Sequence, residues 1–245
     1  MSKSDTQTTS MLVTGAGRRL GLLTCQHFLK KGFRITAVTR AMNSQLAALI
    51  TLYPTNFEVC ECNTYDSDGA SRVVQQLGDC SFDILINNAS YFVEDTRELD
   101  QKVDQYQTFF DVHMLFPMLL SDWFAMPLHS MLQRDRVIIN MSDIYSIKPA
   151  FEHSLYCSTK AGLDNLTQSL AIKFAPEIRV NSIQPGPLAF LPEHTDDQKT
   201  KVMQQTPLGT EGGFEVVLSS FEYIIDNHYL TGTALKIDGG RSLVR

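Results

Sequence analysis

Short apolar runs rich in β-formers alternate with longer stretches of helical periodicity almost from end to end of this chain, and no other feature limits its fold so strongly. The runs are MLVTG (11–15), FRITAVTR (33–40), FEVCEC (57–62), FDILINN (82–88), RVIINMS (136–142), IRVNSIQP (178–185) and ALKID (234–238). Most are apolar with little alternation, as suits strands buried on both faces of a parallel sheet. Between them lie RLGLLTCQHFLKK (19–31), closed by Gly32 at a helix C-cap position, then SQLAALITL (44–52), ASRVVQQL (70–77) and longer helical stretches at about 103–132 and 155–174. This alternation predicts one α/β domain, a doubly wound parallel sheet with helices on both faces. No internal repeat or Pro/Gly/Ser linker divides it. The expected domain is 11–245, preceded by a flexible polar tail over 1–10. The segment 185–213 is rich in Pro, Gly and polar residues and follows a strand. Ligands bind outside the carboxyl ends of strands in such sheets, so about 188–213 reads as a substrate loop.

Composition narrows the partners. The formal charge is −6, without a run of five like charges. That argues against nucleic acid or an anionic membrane as a partner. No apolar stretch is long enough to span a bilayer, and the polar start carries no secretory pattern, so a cytoplasmic location is expected. Cys25, Cys60, Cys62, Cys80 and Cys157 are scattered and odd in number, as reduced thiols would be. Cys60 and Cys62 lack a second pair at zinc spacing, so no metal is expected.

The first run leads through LVTGAGRRLG (12–21) into a helix. Glycines permit a tight turn and close backbone approach, and the helix N-terminus attracts phosphate. Gly15 and Gly17 fit a dinucleotide fingerprint; its third slot holds Leu20, with Gly21 one later. The second run ends AVTR, with no acid between Phe33 and Met42 to hold a ribose 2′-hydroxyl. Arg40 stands there instead, with Arg18 and Arg19 in the glycine turn. Guanidinium groups match phosphate bidentately, so the expected cofactor is NADPH on a Rossmann-type sheet.

Tyr156 and Lys160 stand four apart at the start of a helical stretch, hence on one face. A phenol is a poor acid near neutrality; a nearby cation lowers its pKa, and a nearby carboxylate such as Asp143 raises it. Which of the two wins is not fixed by spacing.

With these pieces in order, the chain resembles the short-chain dehydrogenase/reductase family over nearly its whole length. The matching segments are TGAGRRLG (14–21), NNAS (87–90), YCSTK (156–160), IRVNSIQPG (178–186) and LTGTALKIDGG (230–240). The resemblance implies that Tyr156 is the general acid and that Lys160 binds the nicotinamide ribose. It implies that Asn88 and Ala89 line the cofactor, with Ser90, Pro185 and Gly186 beside it, and that the protein is a homotetramer built through 103–132 and 155–174. The departures narrow it. Arg19 replaces a common glycine, Asp143 the usual serine, His113 the usual asparagine, and Asn63 an aspartate that faces adenine. Arg19 with Asp143 looks like the pteridine reductase branch, and Phe92, four after Asn88, matches that branch's pterin-stacking aromatic. The implied substrate site is Arg19, Ser90, Phe92, Asp143 and Tyr156. The implied reaction is NADPH-dependent reduction of a dihydropterin such as dihydromonapterin, and more weakly of dihydrofolate, with hydride to C6 and a proton to N5. Two alternatives stay open: a general carbonyl or alcohol oxidoreductase of the same family, and a non-catalytic dinucleotide-binding sensor. His113 lies in an apolar helical stretch, where a hydrogen-bonded core histidine is the commoner arrangement.

Overall fold

The computed structural model describes residues 8–126, 135–190 and 194–244. β1 (Ser10–Thr14), β2 (Arg34–Thr39), β3 (Phe57–Glu61), β4 (Ile84–Asn87), β5 (Arg136–Met141), β6 (Ile178–Pro185) and β7 (Ala234–Ile237) form one seven-stranded sheet in the order 3-2-1-4-5-6-7. Every neighbouring pair is parallel. The helices are α1 (Arg19–Lys30), α2 (Ser44–Leu52), α3 (Ser67–Leu77), α4 (Leu99–Phe110), α5 (Phe116–Phe124), α6 (Ser154–Phe174), α7 (Asp196–Gln204) and α8 (Glu215–Asp226). All seven expected runs are strands of the expected doubly wound sheet.

The unbroken apolarity of the strands has a direct cause. Side chains alternate between faces along a strand, and here each face carries its own core. In β1, Met11 and Val13 pack with Leu22 and Phe28 of α1 and Phe221 of α8, while Leu12 packs with Val73 of α3 and Leu120 and Trp123 of α5.

The structure departs from the sequence reading in four places. Ser10, placed in the tail, belongs to β1, its N–H and hydroxyl both donating to the Asp83 carboxylate, at 2.7 and 2.9 Å. The helix expected over 103–132 starts at Leu99 and is broken: Asp111–Leu115 form a π-helical turn between α4 and α5. Pro117 has no N–H to offer the carbonyl of His113 four residues back, which interrupts the regular ladder there; Phe116 N–H reaches Asp111 O instead. Residues 127–132 of that stretch lie outside the described residues. Third, 188–213 is not wholly irregular, since it contains α7, opened by a reciprocal Thr195–Gln198 capping box. Fourth, α8 arises from a stretch not read as helical.

The strand order reverses between β1 and β4, and a crevice opens beyond the carboxyl ends of such strands. Gly15 and Asn88 follow directly on β1 and β4, and Asp143 stands two residues after the end of β5.

Candidate active site

One wall of the crevice is backbone. Gly15 has φ +65°, and a Cβ there would lie 2.8 Å from the Cα of Ala89. At Gly21 a Cβ would lie 2.2 Å from the Gly15 carbonyl oxygen, so only glycine lets α1 begin against the turn. Thr14 fixes the other side: its hydroxyl oxygen accepts from the N–H of Asn88 at 2.9 Å and of Ala89 at 3.0 Å. The Asn88 amide donates to the carbonyls of Thr14 at 3.0 Å and Gly15 at 3.3 Å. No side chain caps α1, and its first turn holds no acid. Its N-terminal N–H groups and Arg18 therefore face the turn with positive charge, and a dinucleotide's phosphates fit such a cradle. Leu20 is buried in the core beneath.

The arginines divide. Arg19 adopts φ +48°, a left-handed conformation costly for a residue that carries a Cβ. Its guanidinium donates to Ala189 O at 3.0 Å and lies 5.5 Å from the Phe214 ring, so it reaches across to the segment after β6. Arg40 is exposed at the end of β2, 5.8 Å over the Tyr65 ring. Asn63 is exposed and left-handed, φ +60°, which asparagine tolerates. Pro185 ends β6 opposite Ile237, and Gly186 N–H donates to Ile237 O at 3.0 Å. A Cβ on Gly186 would lie 2.7 Å from the Cα of Asp238.

The opposite wall is made of side chains. Asp143 caps a short turn after β5. One carboxylate oxygen accepts from Tyr145 N–H at 2.9 Å, which aims the other at the Tyr156 hydroxyl, 3.1 Å away. Tyr156 is 4% exposed and Lys160, one turn on, 2%. Lys160 Nζ donates to Met141 O at 2.8 Å and lies 5.6 Å from the Tyr156 ring. Burial pushes its pKa down to about 8, against the pull of Asp143 and Asp164. The contest over the phenol is decided: burial and Asp143 hold Tyr156 well above its ordinary pKa, so it carries its proton at neutral pH. Burial likewise raises Asp143, against Lys160 and its own hydrogen bonds.

Phe92 is brought to this cluster by residues the sequence reading passed over. Asp95 accepts from Ser154 N–H at 2.8 Å at the start of α6, and His153 bonds Val93 O at 3.1 Å. The loop so stitched holds the Phe92 ring 4.8 Å from Tyr156 and 4.4 Å from His153, yet 49% exposed. Tyr145 adds a further ring, 6.3 Å from Phe92. Thr14 stands in the TGAGRRLG segment without its hydrogen-bonding role being legible there, and Asp95, Tyr145 and His153 carry no motif signal, because each acts through a distant part of the chain. Ser90, following Asn88 and Ala89, bonds His113 Nε2 at 3.0 Å. Among the described residues no group of acids, histidines or cysteines could hold a metal ion, and no helix is long and apolar enough to cross a membrane.

A phosphate cradle at the switch point, facing a protonated phenol between a carboxylate and an ammonium, is the apparatus of a dinucleotide-dependent oxidoreductase. The chain belongs to the short chain dehydrogenase family, whose family model matches residues 9–201. It is similar to a dihydromonapterin reductase of Escherichia coli O6:H1, 27% identical over 241 residues, 97% of this chain and 98% of that protein. Among solved structures it is similar to FolM alternative dihydrofolate reductase 1 from Brucella canis complexed with NADP, with TM-score 0.86, 26% identity, and coverage of 97% of this chain and 95% of that one. It is also similar to 4-hydroxyisoleucine dehydrogenase complexed with NADH, with TM-score 0.89, 26% identity, and coverage of 97% and 100%.

Proposed function

We propose that this protein reduces a dihydropterin with NADPH, converting dihydromonapterin to tetrahydromonapterin and, more weakly, reducing dihydrofolate. The observation that carries this reading is the Asp143–Tyr156 hydrogen bond with the half-exposed Phe92 ring beside it. A pterin is flat, with polar N–H edges; it needs an aromatic face and a carboxylate acceptor. The two named relatives support the substrate class, a dihydromonapterin reductase and an alternative dihydrofolate reductase.

When bound, NADPH supplies a hydride for C6. Tyr156 gives the proton to N5, and Asp143, at its hydroxyl, relays the replacement proton from water. The buried Lys160 ammonium has donors to spare beyond Met141 O and holds the nicotinamide ribose; Asn88, Ala89, Ser90, Pro185 and Gly186 line the cofactor, and Asn63 faces the adenine. Arg18, Arg19 and Arg40 favour the 2′-phosphate, consistent with the NADP in the Brucella canis structure. Leu99, Val103, Tyr106 and Phe110 of α4, with Leu155 of α6, line an exposed apolar groove, which supports assembly with further copies, as a homotetramer, at this face. A cytoplasmic location belongs to the same reading, supported by the likeness to a bacterial reductase.

A second reading is a general carbonyl oxidoreductase, favoured by the likeness to 4-hydroxyisoleucine dehydrogenase. NADPH oxidation with dihydromonapterin, dihydrofolate and a simple diketone in parallel separates the two. The expected result is the highest rate on dihydromonapterin; turnover of the diketone alone would establish the second reading. Binding of NADPH with no turnover of any of the three would make the chain a sensor.

A further inference from the structure

His113 sits on the π-helical turn, and its hydrogen bonds fix where its proton lies. The ring is 1% exposed. Its Nε2 accepts from Tyr91 N–H at 3.3 Å, so the ring hydrogen is on Nδ1, which donates to Thr159 Oγ1 at 2.9 Å. The Thr159 hydroxyl in turn donates to the Tyr156 carbonyl at 2.9 Å. Gly162, about one turn beyond Thr159 on α6, permits this close packing, since a Cβ there would fall 2.9 Å from the Met114 sulfur. Burial and the Lys160 charge hold the imidazole neutral, its pKa well below the ordinary value.

Two consequences follow. The chain of bonds beyond His113 ends at a backbone carbonyl, so it carries no proton to solvent. Nε2 is left as an acceptor, and the Ser90 hydroxyl donates to it at 3.0 Å. The His113 ring stands edge-on to the Tyr156 ring, centroids 5.2 Å apart, which brings its Ser90 partner to the side of the phenol, where a serine hydrogen bond favours the ionised form.

We infer that Ser90 is a catalytic residue, the donor that stabilises the Tyr156 phenolate, and that His113 is the positioning residue that holds the Ser90 hydroxyl for that task. This rests on the proposed role of Tyr156 as the acid. Before transfer the phenol hydrogen points at Asp143 Oδ2, 3.1 Å away, and the Ser90 hydrogen at His113. As the Tyr156 O–H bond breaks and the substrate N–H bond forms, the Ser90 hydrogen swings to the phenolate and keeps its own oxygen. His113 Nε2 retains Tyr91 N–H. A proton from water in the cleft then passes to Asp143 Oδ2 and from there to the phenolate, which leaves Asp143 a carboxylate again.

The groups facing Tyr156 are Asp143, Tyr145, His113, Cys157 and Lys160. Ser90, unlike these, can be removed without removing a titratable group. The test is steady-state NADPH oxidation with dihydromonapterin across neutral and alkaline pH, for wild type, Ser90→Ala, His113→Leu, the double variant and His113→Gln. Ser90→Ala is expected to lower kcat by about 100-fold, as loss of one aimed donor does, with KM nearly unchanged. A donor to the phenolate lowers the phenol pKa, so its loss moves the alkaline limb of kcat to higher pH. His113→Leu is expected to show the same loss and the same shift, and the double variant no more than either alone. His113→Gln, which keeps an acceptor, is expected to recover most of the rate. Wild-type kcat in Ser90→Ala, or additive losses with an unmoved limb, would overturn the inference. If wild type turns over only the diketone, the pterin reading fails and the same comparison on the diketone decides the role of Ser90. If wild type turns over nothing, Tyr156 is not an acid here and the inference falls with it.

Discussion

The two walls of the crevice are built by opposite means. Around Gly15 and Gly21 the chain removes side chains, and what remains is main-chain N–H, a helix terminus and a left-handed turn. Around Tyr156 it concentrates them: Ser90, Phe92, Asp143, Tyr145, His153 and Lys160 converge from the ends of β4 and β5 and from α6. The first wall suits an anion that must be approached closely and held by dipoles. The second suits a reaction in which one proton has to be kept, released and replaced. Binding and chemistry should therefore be separable by substitution.

The largest expected effect tests that separation directly. Tyr156→Phe should cut NADPH oxidation by about 100- to 10,000-fold while leaving the dissociation constant for NADPH within about threefold, measured by fluorescence titration. A comparable loss of binding would show the walls to be one unit. The converse change is Gly21→Ala. Its methyl group cannot coexist with the Gly15 carbonyl 2.2 Å away. It should weaken NADPH binding at least tenfold and cost about 1–3 kcal/mol of stability in urea unfolding.

Asp143→Asn sharpens the comparison through pH. Burial raises the Asp143 carboxyl above its ordinary value, so the folded chain holds that proton more tightly than the unfolded one. Stability then falls as pH rises from about 4, the ordinary carboxylate pKa, through the folded value. The asparagine variant should be more stable at neutral pH, the gain vanishing below about pH 4. Since Asp143 also raises Tyr156, the alkaline limb of kcat should move to lower pH, opposite in sense to Ser90→Ala. The smallest effect belongs to Arg19→Gly, which relieves a left-handed backbone at the loss of the bond to Ala189 O. Thermal unfolding should show a gain of less than about 1 kcal/mol, with weaker NADPH binding as the counterpart.

The wall of backbone was the more legible in sequence. Glycines at a strand-to-helix junction announce a steric requirement that is local, and the strands announced themselves because both faces are buried. The juxtaposition of Tyr156 and Lys160 was legible for the same reason, the two being one helical turn apart. What escaped was of two kinds. α7 buries none of its residues, so no apolar period marked it, although Thr195 and Gln198 stood at capping-box spacing. The break at Asp111–Leu115 depends on Pro117 denying one carbonyl its donor, a defect too small to disturb the apolar pattern around it. Asp95, Tyr145 and His153 act only after the 91–95 loop meets α6, and nothing local distinguishes them from surface residues. His113 was visible as a departure, but its partners Ser90 and Thr159 were separated from it by 23 and 46 residues.

Thr14 gives the cofactor wall a place in the timing of synthesis. Its hydroxyl holds the N–H groups of Asn88 and Ala89, 74 and 75 residues later. A chain leaving the ribosome can pair β1 with β2 and β2 with β3 early, but one edge of β1 stays open until β4 arrives. An exposed parallel edge is a hazard for misassembly. The crevice is thus closed by the event that covers that edge, and a nascent chain ending before residue 89 should neither bind the dinucleotide nor be protected by it.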